Sequence, residues 1–271
     1  MKQKQSGFEA TNLGFSYDGK PILKDINLKI NQGEFVCLLG ESGSGKTTLL
    51  NLLAGLTKPS EGHVYWNEKE IEKPSSERSV VFQDYTLFPW LTLLQNVSLA
   101  IKKTRKVKAN YAKNLAEEYL NLVGLSGSLR KYPFELSGGM RQRGAIARAL
   151  SVGADALLLD EPFGALDPIN RASLQDLILE LCRGSKDRAI TTLFVTHDIR
   201  EAVYLGSRII VLGSTPGRII ADIPLDFPVK KSRSEWFRNE KVQQTIATIE
   251  EAYHKDILEK LGHVVQGGAS I

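Results

Sequence analysis

The sequence predicts an α/β fold: a mostly parallel sheet covered by helices and interrupted by an all-helical insertion. Three observations predict it. Short apolar runs, such as Val36-Cys37-Leu38-Leu39 and Ala156 to Leu159, are too continuous for a half-exposed strand and suit strands buried on both faces. Stretches with three- and four-residue apolar spacing alternate with such runs, as the helical crossovers of a parallel sheet require. Between about Leu93 and Val152 the spacing is almost wholly helical.

Taken in order, Ile22 to Ile30 alternates apolar and polar residues as a half-buried strand, closed by the turn Asn31-Gln32-Gly33. Glu34 to Leu39 is a doubly buried strand, and a helix follows from about Thr47 to Leu56. His63 to Trp66 and Ser79 to Phe82 read as short strands. In the insertion, Ala112, Leu115, Ala116, Tyr119, Leu120 and Val123 mark one apolar helix face. After it come strands at Ala156 to Leu159, Thr192 to Thr196 and Ile209 to Leu212, with helices near Ala172 to Cys182 and Ile199 to Gly206 between them. The polar tail from Pro228 predicts one helix from Ser234 to Leu261.

The chain's 271 residues suffice for one large domain or two modest ones, and 42% hydrophobic with 24% charged residues argue against disordered, collagenous and coiled-coil classes. Thirty-five Lys and Arg against 31 Asp and Glu leave a net charge of +4, which demands no nucleic acid partner. Two cysteines, Cys37 and Cys182, cannot form a disulfide framework or a zinc site and read as core residues in a reducing compartment. Met1 to Phe8 carries Lys2 and Lys4 with no apolar stretch behind them, so it does not read as a secretory signal, and no window approaches a membrane span. The expected location is the cytoplasm, with any membrane crossing left to another chain.

Gly40-Glu41-Ser42-Gly43-Ser44-Gly45-Lys46-Thr47 lies between a buried strand and a helix and has the spacing of a phosphate-binding P-loop. Its glycines let successive N–H groups face one anion, and the helix adds its positive end. Lys46 suits the β- and γ-phosphates; the hydroxyl of Thr47, followed by Thr48, suits Mg²⁺. No third glycine completes a dinucleotide fingerprint, so a nucleoside triphosphate is the expected ligand. Asp160 and Glu161 end a buried strand at the edge where such sheets bind ligands, Asp160 to hold Mg²⁺ and Glu161 to polarise the attacking water.

Leu136-Ser137-Gly138-Gly139-Met140-Arg141-Gln142-Arg143, 23 residues before Asp160 counting from Ser137, resembles the signature motif of ATP-binding cassette (ABC) ATPases. The resemblance covers residues 8–225 and implies a RecA-like P-loop NTPase sheet, an N-terminal antiparallel β region and a helical subdomain at about 93–152, with 226–271 a short helical extension. About 45 residues after Leu225 are too few for an added regulatory β-domain. Tyr17 resembles the residue that stacks on adenine, Gln83 the Q-loop glutamine that also reaches the metal, Ala165-Leu166-Asp167 the D-loop, and His197 the switch histidine. Met140 stands where most members carry Gln; the groups expected to face phosphate are Ser137 and the Gly138 and Gly139 amides.

The family pairs two cassettes head to tail, so the resemblance implies ATP and Mg²⁺ as cofactors and a second ATPase subunit, identical or related, as partner. It also implies two transmembrane permease subunits and, through them, a solute-binding protein, with the chain on the cytoplasmic face of the membrane. The apolar run Leu87-Phe88-Pro89-Trp90-Leu91 after Tyr85 is expected to form the groove that receives a permease helix. That run, the signature and Thr215-Pro216-Gly217-Arg218 resemble the branch serving nitrate, sulfonate, taurine and bicarbonate importers. Importers of other small solutes are the alternative, then soluble ABC ATPases of DNA repair or translation. Only about 90 residues separate Thr47 from Ser137, too few for the long coiled coil of repair members. Lys102, Lys103, Arg105, Lys106 and Lys108, with Lys230, Lys231, Arg233, Arg238 and Lys241, form basic runs read as solvated surface or contacts to anionic lipid.

Overall fold

The computed structural model describes residues 6–84, 86–183, 189–214, 216–226 and 233–267. Tyr85, Thr215, Lys230, Lys231 and the segment before Ser6 lie outside the described residues.

The chain opens with a hairpin of β1 (Ser6–Tyr17) and β2 (Lys20–Asn31). Its two-residue turn places Asp18 at φ 46° and Gly19 at φ 78°, the left-handed pair that matches the twist of hairpin strands. Next come β3 (Phe35–Gly40), α1 (Lys46–Ala54), β4 (Glu61–Trp66), β5 (Lys69–Glu70) and β6 (Arg78–Val81). The helical stretch then runs through α2 (Leu93–Arg105), α3 (Ala109–Leu122) and α4 (Gly138–Ser151). The α/β alternation resumes with β7 (Ala156–Asp160), α5 (Pro168–Arg183), β8 (Thr191–Thr196), α6 (Ile199–Leu205) and β9 (Arg208–Leu212). It ends with β10 (Ile219–Pro224), α7 (Arg233–Arg238) and α8 (Glu240–Gly267).

Six strands form one sheet in the order β10-β9-β3-β8-β7-β6, parallel except for β10 at the edge. A second, antiparallel sheet has the order β2-β1-β4-β5. The strand period of two divides the core between them. Val36 and Leu38 of β3 face α1 and the antiparallel sheet, whereas Cys37 and Leu39 face the helices on the other side. Every residue of β3, β7 and β8 is therefore buried, which accounts for their unbroken apolar runs. Both cysteines are core residues, and burial pushes the Cys182 thiol up to about 11.

Two tail expectations are corrected. The single helix expected over 234–261 is two helices, broken at Asn239, whose side-chain oxygen accepts from Lys241 N (3.0 Å) and starts a new helix one residue later. Arg233 is not solvated surface: its guanidinium donates to Gln175 (2.6 Å) and Asp176 (3.2 Å) and lies 3.9 Å from the centre of the Tyr204 ring.

Candidate functional site

Four adjacent parallel strands deliver chemistry to one edge of the sheet. The P-loop leaves the carboxyl end of β3, His197 follows β8, Asp160 and Glu161 end β7, and Gln83 follows β6. This is the edge at which open α/β sheets bind ligands, and the strand order, not the sequence order, makes these residues neighbours.

In the P-loop, Gly43 and Gly45 have φ of 83° and 93°. A side chain at Gly45 would be strained twice over, because its Cβ would also sit 2.6 Å from Leu23 Cδ2. Gly45 N-caps α1 with no side-chain acceptor, so the first amides of that helix keep their donors for a ligand. Buried Lys46 donates from Nζ to the carbonyls of Gly40 and Glu41, both at 2.9 Å, and lies 4.0 Å from Glu161 Oε1. Burial lowers its pKa, while the carboxylates of Glu161, Asp160 and Glu41 work in the opposite direction.

Asp160 is only 3% exposed, and burial raises its pKa against the effect of a hydrogen bond from the Thr47 side chain. Its Oδ1 has no hydrogen-bond partner, and neither has the buried Oγ of Ser44. A carboxylate and a hydroxyl side by side, with an unfilled oxygen between sheet and P-loop, fit a small hard cation that takes its other ligands from phosphate and water. No cluster of three or more His, Cys, Asp or Glu among the described residues offers an all-protein metal cage.

Glu161 sits at φ 43°, a left-handed conformation that costs a non-glycine residue about 1 kcal/mol or more. Its N–H is held by Val195 O at 3.1 Å across the sheet, and its Oε2 lies 3.2 Å from Nδ1 of exposed His197. The turn aims a half-buried carboxylate along the P-loop side of the sheet edge. Thr196 and Asp198 brace the other flank of His197: Asp198 caps α6 through Arg200 N (2.8 Å) and Glu201 N (3.2 Å), and Thr196 Oγ1 donates to Glu201 (2.7 Å).

The structure does not bring every expected residue to this edge. Ser137 caps α4, accepting from Met140 N at 3.3 Å, and Gly138 and Gly139 lie against Ala165 and Leu166. The signature therefore rests on the D-loop of its own chain, where Asp167 caps α5 and the side chain of Asn170 holds its pKa below the usual range. Gln142, fully buried, donates to the Pro162 carbonyl and ties α4 to the segment after Glu161. Gln83 is at this edge but exposed, whereas Tyr17 stands 65% exposed at the hairpin tip, edge-on to Phe15 at 5.4 Å. Ser42 and Glu41 line the rim of the cleft, and Thr48 continues α1.

Sequence reasoning missed one wall. A cleft of about 460 Å³ has Gly40, Glu41, Ser42 and His197 on one side and Glu250, Tyr253, His254 and Ile257 of α8 on the other. Burial, with Glu41 adding to it, raises the Tyr253 pKa. The available signal was the apolar spacing Ile246, Ile249, Tyr253 and Ile257, which marks a packed helix face without saying what it packs on.

Beside the edge, Phe88 and Trp90 are 43% and 70% exposed with ring centres 5.4 Å apart, while Leu87 is buried. Buried Asn96 holds their loop, accepting from Phe88 N (2.7 Å) and donating to the carbonyls of Phe88 (3.1 Å), Leu91 (3.0 Å) and Thr92 (3.1 Å).

The sequence profile described as ABC transporter matches residues 23–164. The bicarbonate transport ATP-binding protein CmpC of Synechocystis is 48% identical over 215 residues, 79% of this chain but 32% of its own length, so this chain spans about a third of that relative. The nitrate import ATP-binding protein NrtD of Synechococcus elongatus is 42% identical over 78% of this chain and 76% of its own length. Among solved structures, a dimeric bacterial ABC transporter cassette, MJ0796, superposes with a TM-score of 0.73 at 34% identity, covering 82% of this chain and all of its own. Strand-edge chemistry, signature and these likenesses agree: the chain belongs to the ABC transporter family.

Proposed function

We propose that the chain is the ATP-binding and ATP-hydrolysing subunit of an importer for a small anion such as nitrate or bicarbonate, working as a peripheral subunit on the cytoplasmic face of a membrane. The observation that carries the ATPase reading is the convergence of Lys46, Glu161 and His197 on one sheet edge, with Glu161 held in a strained turn between the other two. The anion is supported by similarity to proteins named for nitrate and bicarbonate import. No described helix is long and apolar enough to cross a membrane.

ATP lies with its phosphates on the P-loop amides and its adenine against Tyr17. Lys46 exchanges its two loop carbonyls for β- and γ-phosphate oxygens, a change its depressed pKa favours because the phosphates repay the desolvation of the ammonium. Thr47, Asp160 and Gln83 would hold Mg²⁺, which when bound would supply positive charge against the phosphates. Glu161 orients a water molecule at the γ-phosphorus and His197 keeps the carboxylate in place. The water oxygen bonds to phosphorus as the bond to the β-phosphate oxygen breaks, giving ADP and phosphate.

Ser137, Gly138 and Gly139, packed on the D-loop of their own chain, supply the second anion site of this reading. A second cassette, identical or related, brings its own signature to the γ-phosphate, and loss of that phosphate opens the pair. The Phe88–Trp90 surface passes the motion to the permease. Cells in which Glu161→Gln replaces the wild-type chain should lose uptake of labelled nitrate or bicarbonate. Undiminished uptake of both, alongside lost uptake of another solute, would overturn the anion assignment, and full ATPase activity in the variant would overturn the mechanism.

A further inference from the structure

The hairpin turn between β9 and β10 belongs to none of the groups that meet ATP, yet it is gripped from both sides. On one side is α8. Asp256, 5% exposed, accepts from Ser214 N and Ser214 Oγ, both at 3.1 Å, and from Arg218 Nη2 at 2.9 Å. Lys260, one turn on, donates to Ser214 Oγ at 2.5 Å. On the other side is the P-loop. Gly217 donates to Ile22 O (2.7 Å), accepts from Lys24 N (3.0 Å) and bridges to Leu23, whose side chain packs on Gly45. A Cβ on Gly217 would fall inside the van der Waals envelope of the Ser44 carbonyl oxygen, so only glycine brings the turn so close to the P-loop backbone.

We infer that Asp256 is a positioning residue for the P-loop: from the C-terminal helix it fastens Ser214 and Arg218, and Gly217, next to Arg218, buttresses the Ser44 carbonyl that shapes the phosphate cradle. The inference rests on the ATP-binding reading above. The physical need is plain. A loop with glycines at φ 83° and 93° has little rigidity of its own, and amides that must converge on an anion are worth more when held in place beforehand. A buried carboxylate with three donors is a strong fastener, because removing it leaves Ser214 N and the Arg218 guanidinium short of a partner. Among the described residues no hydrogen bond or ion pair joins Glu161, His197 or Lys46 to Asp256, Ser214 or Arg218, so the effect falls on nucleotide binding and not on the chemical step.

The test measures the Kd of Mg·ATP by calorimetry, and KM and kcat, on the full chain. Asp256→Ala should raise Kd and KM about tenfold with kcat within twofold of wild type. Gly217→Ala should do the same from the other side, and the double variant should be no weaker than the weaker single one, since both cut one linkage. Glu259→Ala, which removes the other acid on the same Arg218 (3.1 Å), should leave Kd unchanged. Asp256→Asn, which keeps an acceptor for Ser214 N, should fall between wild type and alanine and keeps the test alive if the alanine variant fails to fold. A lowered melting temperature with unchanged Kd in folded Asp256 variants, or additive losses in the double variant, would show that Asp256 merely docks α8 and would overturn the proposal. A wild-type chain that binds no ATP would instead overturn the functional reading itself.

Discussion

At the residue scale, the groups around the cleft are held in states that cost the free protein stability. Asp160 is the clearest: its carboxylate is buried with one oxygen unpartnered, and burial raises its pKa, so the folded chain holds the proton more tightly than the unfolded chain does. The linkage sign follows. A raised carboxyl pKa favours the fold below the unfolded value near 4, and that advantage is lost as pH rises through the folded pKa, so at neutral pH the ionised group is a burden. Asp160→Asn should therefore raise the melting temperature of the nucleotide-free protein at pH 7.5 by a few degrees, about 1 kcal/mol, while abolishing Mg²⁺-dependent turnover. Calorimetric melts should show the gain shrinking towards pH 4; a less stable variant at pH 7.5 would contradict this. The placement of Lys46, Thr47 and Asp160 at one sheet edge was legible in the sequence because each sits within a residue or two of a strand end or glycine turn. The strain at Glu161 was not, since nothing in the local sequence marks its positive φ, and the hydrogen bond that holds its N–H comes from Val195 on a neighbouring strand.

At the element scale, the loop bearing Phe88 and Trp90 is rigid because a buried amide replaces the hydrogen bonds that regular structure would supply. Asn96→Ala should cost about 2–4 kcal/mol by leaving several loop groups unpartnered, measurable by urea unfolding. Trp90→Ser, whose ring is mostly exposed, should leave stability within about 0.5 kcal/mol of wild type and isolated ATPase activity unchanged, yet abolish co-purification with the permease. Retained co-purification would remove the loop from the docking surface.

Which elements the sequence revealed depended on their regularity. The doubly buried strands β3, β7 and β8 stood out as apolar runs. Strand β1 did not: register shifts between Ala10 and Leu13, with Asn12 at φ 48°, break its alternation. Strand β10 is a half-buried edge ending in Pro224, too weakly patterned to read.

At the scale of the whole molecule, the cassette gathers Lys46, Glu161 and His197 on the sheet edge and packs the start of the signature helix on its own D-loop, through Gly138 and Gly139 against Ala165 and Leu166. Both motifs are local in the sequence, whereas the α8 wall brings Tyr253 and His254 against Gly40 and Glu41, more than 200 residues away along the chain, and is a product of the tertiary structure alone. On the proposed mechanism the signature of one chain completes the phosphate site of another, so ATP joins two copies. Sedimentation velocity of the Glu161→Gln protein with and without Mg·ATP tests this most directly. A monomer without nucleotide that becomes a dimer with ATP, and returns to monomer with ADP, is the predicted result; a protein that binds ATP yet stays monomeric at every concentration, even beside its permease, would contradict it.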